Sequence, residues 1–316
     1  MSTSRPRIGV SSCLLGRQVR FDGGHKKSDF VADTLSRFVE LVPVCPEVES
    51  GMPVPRESLR LVPGRAGLRL IGNRSGADHT DRMSSFAEQR VAELAALELD
   101  GFVLKKDSPS CGLERVRTYR EGAAQPVRTG TGLFAALLRD GLPALPLTEE
   151  GWLRDPGLRE SFLERIFTHH RMRMVLFEAP SRGKLVAFHS EHKLLYMARS
   201  PVLYRELGRI AAQSAARPLK ATIELYAAQA MAALGERSTP GKQANVLQHI
   251  MGYFKEVLTA SEKRELLSLI DDFRAGLHGL LVPLTLLLHH LRAHEVSAWL
   301  SRQLYFRPYP KELGAR

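Results

Sequence analysis

The sequence predicts an α/β domain over residues 1–149 followed by an all-α domain over residues 150–316. In the first part, short apolar segments alternate with amphipathic segments of helical periodicity, which is the pattern of a parallel sheet covered by helices on both faces. From about residue 152 the strand-like segments stop and helical periodicity continues alone. A chain of 316 residues is also long enough to form two hydrophobic cores.

The strand-like segments of the first part are short, apolar and bounded by turn residues: residues 6–12, 39–44, 101–105 and 142–148. Helix-like segments separate them at residues 29–39 and 83–99, and the second has apolar residues spaced three and four apart. A further helix is closed by Gly141 and precedes the last strand. This order predicts a Rossmann-like parallel sheet.

Six segments with helical periodicity fill the second part: residues 158–179, 200–215, 219–234, 243–258, 260–276 and 282–294. Ser200 and Ser261 resemble helix starts, whereas Gly235 and Gly276 resemble helix ends. Histidine pairs occur at residues 169–170 and 289–290. We find no metal-ligand spacing around them, and we interpret them as partly buried or surface histidines.

Net charge differs between the two parts of the chain. Residues 1–150 contain 21 Lys and Arg against 19 Asp and Glu, a net charge of +2, so the remaining +9 of the total +11 belongs to residues 151–316. A basic second part favours an anionic partner, nucleic acid first, although arginine-rich solvated helix faces give the same composition. Charge alone does not decide between these interpretations.

The sequence gives no indication of export or membrane insertion. The N-terminus lacks the apolar stretch of a secretory signal, and the most apolar later stretch, residues 279–290, is short and contains Pro283 and His289. Three cysteines in a chain of this length argue against a disulfide framework. We therefore expect a soluble, cytoplasmic, reduced protein without membrane association, whose oligomeric state is left open.

The three cysteines share one setting, because Cys13, Cys45 and Cys111 each follow a predicted strand. The carboxyl ends of parallel strands meet at one edge of a sheet, so these side chains are expected to converge there. Sulfur ligands select iron–sulfur clusters, zinc or copper, and the paired short-spaced motifs of structural zinc are absent. A 4Fe–4S cluster with three cysteine ligands has one iron without a protein ligand. Three unrelated apolar cysteines are the alternative.

Four ordered motifs then carry a family resemblance: residues 10–24 (VSSCLLGRQVRFDGG), 45–57 (CPEVESGMPVPRE), 104–112 (LKKDSPSCG) and 128–138 (RTGTGLFAALL). They resemble the successive motifs of the TudS family of thiouracil desulfidases over residues 5–147. Residues 178–201 and stretches within 245–310 resemble the helical domain that is fused to TudS-like domains. Such fusions resemble the bacterial desulfidases that remove sulfur from 4-thiouridine in tRNA.

The resemblance implies that Cys13, Cys45 and Cys111 ligate a 4Fe–4S cluster whose fourth iron binds the sulfur of a thiocarbonyl base. It implies Glu47 as the acid/base and Ser108 as a hydrogen-bonding partner at the same site. Phe21 stands where the family often has tyrosine, which removes any role for a phenolic hydroxyl at that position.

Further candidate residues are less specific. Pocket candidates in the motif stretches are Ser12, Asp22, His25, Arg56 and Ser110. Turn capping explains the two serines more simply, and Arg56 could equally form a structural ion pair. Candidate RNA contacts in the second part are Arg171, Arg173, Arg182, Lys184 and Lys193, which are interleaved with aromatic residues. Packing in a helix core is the simpler interpretation of each aromatic residue taken singly.

Three functions are compatible with these features. The first is 4Fe–4S-dependent, non-redox desulfuration of 4-thiouridine in tRNA, giving uridine and hydrogen sulfide. The second is desulfuration of free thiolated bases or nucleosides such as 2-thiouracil. The third is a non-catalytic, cluster- or zinc-containing RNA-binding or sensor protein. Glu47 beside Cys45 argues against the third, and the +9 charge of the second part favours RNA over a free base.

Overall fold

The protein is described here by a computed structural model, which covers residues 4–65, 67–120, 125–294 and 296–314. The chain divides into two compact units, Met1–Phe162 (unit 1) and Leu163–Arg316 (unit 2). Unit 1 is α/β and unit 2 is mostly helical, as the sequence predicts. The functional domain limits at residues 149–150 stay a prediction.

The strands of unit 1 are β1 (Arg7–Ser11), β2 (Glu40–Val44), β3 (Leu59–Gly64), β4 (Gly67–Gly72), β5 (Gly101–Leu104), β6 (Val116–Thr118), β7 (Val127–Gly130) and β8 (Leu147–Glu149). Its helices are α1 (Pro46–Glu49), α2 (Thr80–Ala96) and α3 (Leu133–Gly141). Helix α4 (Pro156–Met172) runs across the boundary between the units.

The main sheet has the strand order β2-β1-β5-β8, and all its pairs are parallel. Ser11 lies opposite Val44, and Val10 lies opposite Val103, so the strands end at nearly the same level. Strands β1 and β5 are almost entirely buried, which is typical of strands covered on both faces. The predicted parallel sheet is therefore confirmed.

A second sheet was not predicted from the sequence. Its order is β4-β3-β6-β7, with antiparallel pairs at both ends and a parallel pair where Leu61 meets Thr118. The strands β6 and β7 have three and four residues, too few for a clear alternation of apolar and polar side chains. Its strands β6 and β7 lie in the chain between the loop after β5 and the start of α3.

The helix expected over residues 29–39 is irregular. A π-helical turn (Phe30–Thr34) is followed by a 3-10 turn (Leu35–Arg37). The Ser36 hydroxyl donates to the Ala32 carbonyl (2.6 Å), a local bond that competes with regular helical pairing.

Unit 2 continues with helices α5 (Arg182–Arg199), α6 (Pro201–Ala212), α7 (Leu219–Gly235), α8 (Pro240–Met251), α9 (Ala260–Arg274), α10 (Leu281–Ala293) and α11 (Ala298–Ser301). Ser200 caps α6 as expected, since its hydroxyl accepts from the Leu203 amide. Thr259, rather than Ser261, caps α9 in a reciprocal capping box with Glu262. Among the described residues, no helix combines the length and the apolarity needed to cross a membrane.

Candidate active site

The three cysteines line a single cavity of about 280 Å³ at the carboxyl edge of the main sheet. Cys13 lies in a 3-10 turn that follows β1, Cys45 directly follows β2, and Cys111 lies in the loop after β5. These three strands are neighbours in the order β2-β1-β5, so their ends deliver the three side chains to one place.

Short-range hydrogen bonds fix the first two cysteines. The Cys13 carbonyl accepts from the amides of Gly16 (3.3 Å) and Lys26 (3.0 Å), and Gly16 has the positive φ (+86°) that this turn requires. The Cys45 amide donates to the Glu49 carboxylate (2.6 Å), and the Cys45 carbonyl accepts from the Glu49 amide (2.9 Å). Glu49 thus closes the first turn after β2 and holds Cys45 in place.

The Ser-Pro turn at residues 108–110 fixes Cys111. The Ser108 hydroxyl accepts from the amides of Ser110 (3.3 Å) and Cys111 (3.1 Å). The first amides of α3 donate to this loop, among them that of Leu133 to the Pro109 carbonyl (3.2 Å). A Cβ at Gly132 would lie 2.4 Å from the Ser110 carbonyl oxygen, so this close packing requires glycine. The N-terminus of α3 therefore helps to fix the loop that carries Cys111.

Burial keeps the free thiols in the neutral form. Loss of solvent raises the pKa of Cys13 to about 11, while nearby Lys105 acts in the opposite direction. Burial also raises the pKa of Cys45 and, well above its ordinary value, that of Cys111. Neutral thiols do not ligate metals, so thiolates at this site need a cationic centre to compensate for their burial. Three such soft donors around one cavity fit an iron–sulfur cluster.

Glu47 faces the same cavity and both of its carboxylate oxygens are engaged. One accepts from the Ser110 hydroxyl (2.8 Å), and the other accepts from Arg56, with 2.9 Å to Nε. Arg56 also donates to the carbonyls of Val19 (3.0 Å) and Pro53 (3.2 Å). The carboxylate is therefore held in one orientation between a hydroxyl and a guanidinium that is itself anchored.

The two serines of the Cys111 loop have roles that differ from the sequence interpretation. We expected Ser110 to cap a turn, but its hydroxyl donates to Glu47, whereas Ser108 accepts the turn amides. Spacing alone does not tell which hydroxyl faces the carboxylate. Ser108 still lines the cavity, so its catalytic role stays a prediction.

Of the other pocket candidates, Ser12 and Arg56 line the cavity, whereas Asp22 and His25 lie outside its lining. Both are exposed, and each accepts from a backbone amide two residues along, that of Gly24 (3.0 Å) and that of Lys27 (3.2 Å). The bond from Gly24 also lowers the pKa of Asp22. These two side chains shape their own loop, so the pocket assignment does not hold for them in this structure.

Sequence reasoning missed four cationic side chains that line the cavity: Arg20, Lys26, Lys105 and Lys106. Lys105 pairs with Glu150 (2.5 Å), and the Lys106 amide donates to the same carboxylate (2.7 Å). The sequence contained a signal for two of them, because Lys105 and Lys106 lie between the end of a strand and the Cys111 turn. Side chains at that position must lie at the rim of the site.

The chain matches two family models in succession. Residues 8–150 match the model described as 2-thiouracil desulfurase, and residues 193–310 match that of a protein of unknown function, DUF1722. YbgA of Escherichia coli, an uncharacterized protein, is 33% identical over 158 residues, which span 50% of this chain and 93% of YbgA. YbbK of Bacillus subtilis, also uncharacterized, is 31% identical over 137 residues, 42% of this chain and 89% of YbbK. The chain belongs to the 2-thiouracil desulfurase family.

A solved structure is also similar to this chain. It is described as a [4Fe-4S]-dependent thiouracil desulfidase, TudS, and it is 31% identical with a TM-score of 0.41. The match spans 50% of this chain and 99% of that one. The two family models confirm the predicted combination of a thiouracil desulfidase domain and a second, C-terminal region, which is helical in the structure.

Unit 2 contains the five candidate RNA contacts, and one of them, Arg171, is held by partners within the same unit. This guanidinium donates to the Thr168 hydroxyl (3.0 Å), the Pro308 carbonyl (2.8 Å) and His192 (3.3 Å). Burial lowers its pKa to about 10. These bonds engage Arg171 within unit 2, and its role as an RNA contact stays a prediction.

The other four candidates lie nearer the surface. Arg173 is half-buried beside Glu178 (3.7 Å). Arg182 and Lys184 are exposed, and Lys193 lies against the rings of two aromatic residues. These side chains keep their candidate role. The aromatic residues Phe188 and Tyr196 are buried in the core, as the simpler interpretation holds.

Proposed function

We propose that this protein removes sulfur from the thiocarbonyl group of 4-thiouridine in tRNA, with a 4Fe–4S cluster held by Cys13, Cys45 and Cys111. The products are uridine and hydrogen sulfide. One observation carries the proposal: three cysteines, two of them buried and one half-buried, line the same cavity as one carboxylate in a member of the 2-thiouracil desulfurase family. When bound, a cluster with three protein ligands supplies an iron with an open position, a Lewis acid suited to soft sulfur.

Replacing C=S by C=O consumes one water and releases one hydrogen sulfide, so no net electrons are transferred. The attacking water must give up protons and the departing sulfur must gain them, two in all by the time hydrogen sulfide is released. Glu47 is the residue we assign to both transfers, since one carboxylate can accept and then return a proton. Arg56 and Ser110 orient that carboxylate toward the cavity.

The cations at the cavity support a substrate that carries phosphate. Lys26 and Lys106 are exposed at its rim, and Arg20 and Lys105 lie deeper. A neutral base such as 2-thiouracil has no charge for them to contact, whereas a nucleotide within RNA has one phosphate on each side. The second part of the chain adds a net charge of +9. Unstacking one base from a folded RNA costs roughly a few kcal/mol. Contacts between these charges and the RNA phosphates would help to offset that cost.

The second candidate function is desulfuration of free thiolated bases or nucleosides. The family model that matches residues 8–150 favours it, since that model is described by a free base, 2-thiouracil. A non-catalytic cluster protein is disfavoured by Glu47, because a purely structural site gains nothing from a carboxylate held by Arg56 and Ser110.

Anaerobic incubation of the cluster-loaded, full-length protein with three substrates distinguishes these functions. The substrates are tRNA containing 4-thiouridine, free 4-thiouridine and 2-thiouracil, and the readouts are sulfide release and nucleoside composition. We expect the highest kcat/KM with tRNA. Activity on 2-thiouracil alone would select the second function, and absence of sulfide from all three would contradict desulfuration.

A further inference from the structure

Helices α9 and α10 bring together three metal-ligating side chains far from the cysteines in sequence. One ligand atom from each of Glu262, His290 and His294 lies within 4.8 Å of the other two. The two histidines are four residues apart, so they share one face of the helical turn at the end of α10. The His294 amide donates to the His290 carbonyl (3.0 Å), and their rings stack with centroids 6.0 Å apart.

His290 provides a second, independent observation. Its residue is 5% exposed, and its Nε2 atom is buried without a hydrogen-bond partner among the described residues. A buried polar atom left without a partner is uncommon, because its desolvation costs about 1–3 kcal/mol. Coordination of a metal ion is one way in which an imidazole nitrogen is satisfied.

Hydrogen bonds from Thr259 hold the Glu262 carboxylate close to the two histidines. The amide and the hydroxyl of Thr259 both donate to Oε2 of its carboxylate, at 2.8 and 2.7 Å. A carboxylate has a second oxygen, so the capping interaction leaves one for a ligand bond. The capping box therefore fixes the position of the carboxylate without using all of it.

We propose that Glu262, His290 and His294 bind a divalent transition-metal ion, zinc by preference, which ties the start of α9 to the end of α10. Two imidazole nitrogens and one carboxylate oxygen are a ligand set that zinc uses in proteins. With bond lengths of about 2.0–2.1 Å, neighbouring ligands around one zinc lie roughly 3.3 Å apart. Glu262 and His294 are only half-buried, so their side chains can move the remaining distance.

An opening to solvent lies beside the group. His294 lines a cavity of about 560 Å³ together with Arg292, Ser297 and Ser301. Three protein ligands leave a fourth zinc position for water, and this cavity gives water and the ion access to it. Both helices pack into the same hydrophobic core, through Leu266 and Leu287 among others, so an ion between their ends would stabilise that core.

Zinc binding to the full-length, cluster-loaded protein tests the proposal. The variants are His294→Ala and Glu262→Gln, in which glutamine can still cap the helix. The matched control is His289→Ala, since His289 is an exposed neighbour that is not part of the group. We expect one zinc per chain and a raised Tm in the wild type and the control. We expect affinity to be weaker by about 100-fold or more in His294→Ala, because even loss of a residue behind a ligand costs about 10- to 100-fold.

X-ray absorption at the zinc edge separates this site from the cysteines, because iron does not contribute there. The proposal requires a shell of nitrogen and oxygen at about 2.0–2.1 Å in the wild type, with no sulfur near 2.3 Å. A sulfur shell would assign the zinc to the cysteines and overturn the proposal. Equal zinc content and equal Tm shift in the wild type and both variants would overturn it as well.

Discussion

Substitution of Glu47 by glutamine tests the acid/base role, because the two side chains match in size and differ in charge. Glu47 accepts from Ser110 at one oxygen (2.8 Å) and from Arg56 at the other (2.9 Å to Nε). Glutamine can keep the contact with Ser110 but can neither take up nor release a proton. We therefore expect kcat for the thiolated substrate to fall by about 10²- to 10⁴-fold at unchanged cluster content.

The same substitution also leaves Arg56 without its carboxylate, and the structure gives the scale of that loss. The side chains of Arg56 and Glu47 are 6% and 14% exposed. A stranded buried charge costs about 3–5 kcal/mol, but Arg56 keeps the carbonyls of Val19 and Pro53, so we expect about 1–3 kcal/mol. Thermal denaturation measures this loss separately from kcat.

Ser110→Ala is the matched control, since it removes one hydrogen bond from Glu47 and no charge. A hydrogen bond to a charged group contributes about 1.5–3 kcal/mol, so kcat should fall by about 10- to 100-fold, less than in Glu47→Gln. A Glu47→Gln protein with its cluster intact and with wild-type kcat would refute the acid/base assignment.

Three further predictions concern the cluster, the loop that carries Cys111 and the rim of the cavity. Changing any one of the three cysteines to serine should remove most of the iron and sulfide, and full retention in one variant would exclude that residue as a ligand. Gly132→Ala should lower stability by about 1–3 kcal/mol and reduce cluster content, because the added methyl group would lie 2.4 Å from the Ser110 carbonyl oxygen. Gly235→Ala is the control and should change neither quantity, because a Cβ at that position meets nothing within 4 Å. Lys106→Ala should lower the salt dependence of tRNA binding by about 0.7–0.9 log units per tenfold change in salt, and an unchanged slope would remove Lys106 from the RNA contacts.

The parts of the site that follow from strand order could be predicted from the sequence. Cys13, Cys45 and Cys111 each come after a strand of a parallel sheet, and the edge of such a sheet collects whatever follows its strands. Side-chain direction within a turn does not follow from strand order. For that reason the sequence could not tell that Ser110, rather than Ser108, contacts Glu47.

Packing between helices was the main feature that the sequence left undetermined. Arg171 occurs in a basic, aromatic stretch that resembles an RNA-binding surface, yet its guanidinium is engaged by the Pro308 carbonyl, far along the chain. His290 and His294 are four residues apart and share one helical face, but this spacing is common in helices and does not by itself indicate a ligand pair. Glu262 joins them only because α9 packs against α10, a contact with no local signal.

The most direct test of hydrolytic desulfuration is a mass balance on the full-length, cluster-loaded protein with tRNA containing 4-thiouridine, in isotopically labelled water and without a reductant. Hydrolysis requires one sulfide for each uridine formed and the labelled oxygen in the product base. Hydrolysis would be contradicted by uridine without the label, by sulfide that appears only when a reductant is added, or by 4-thiouridine that stays intact.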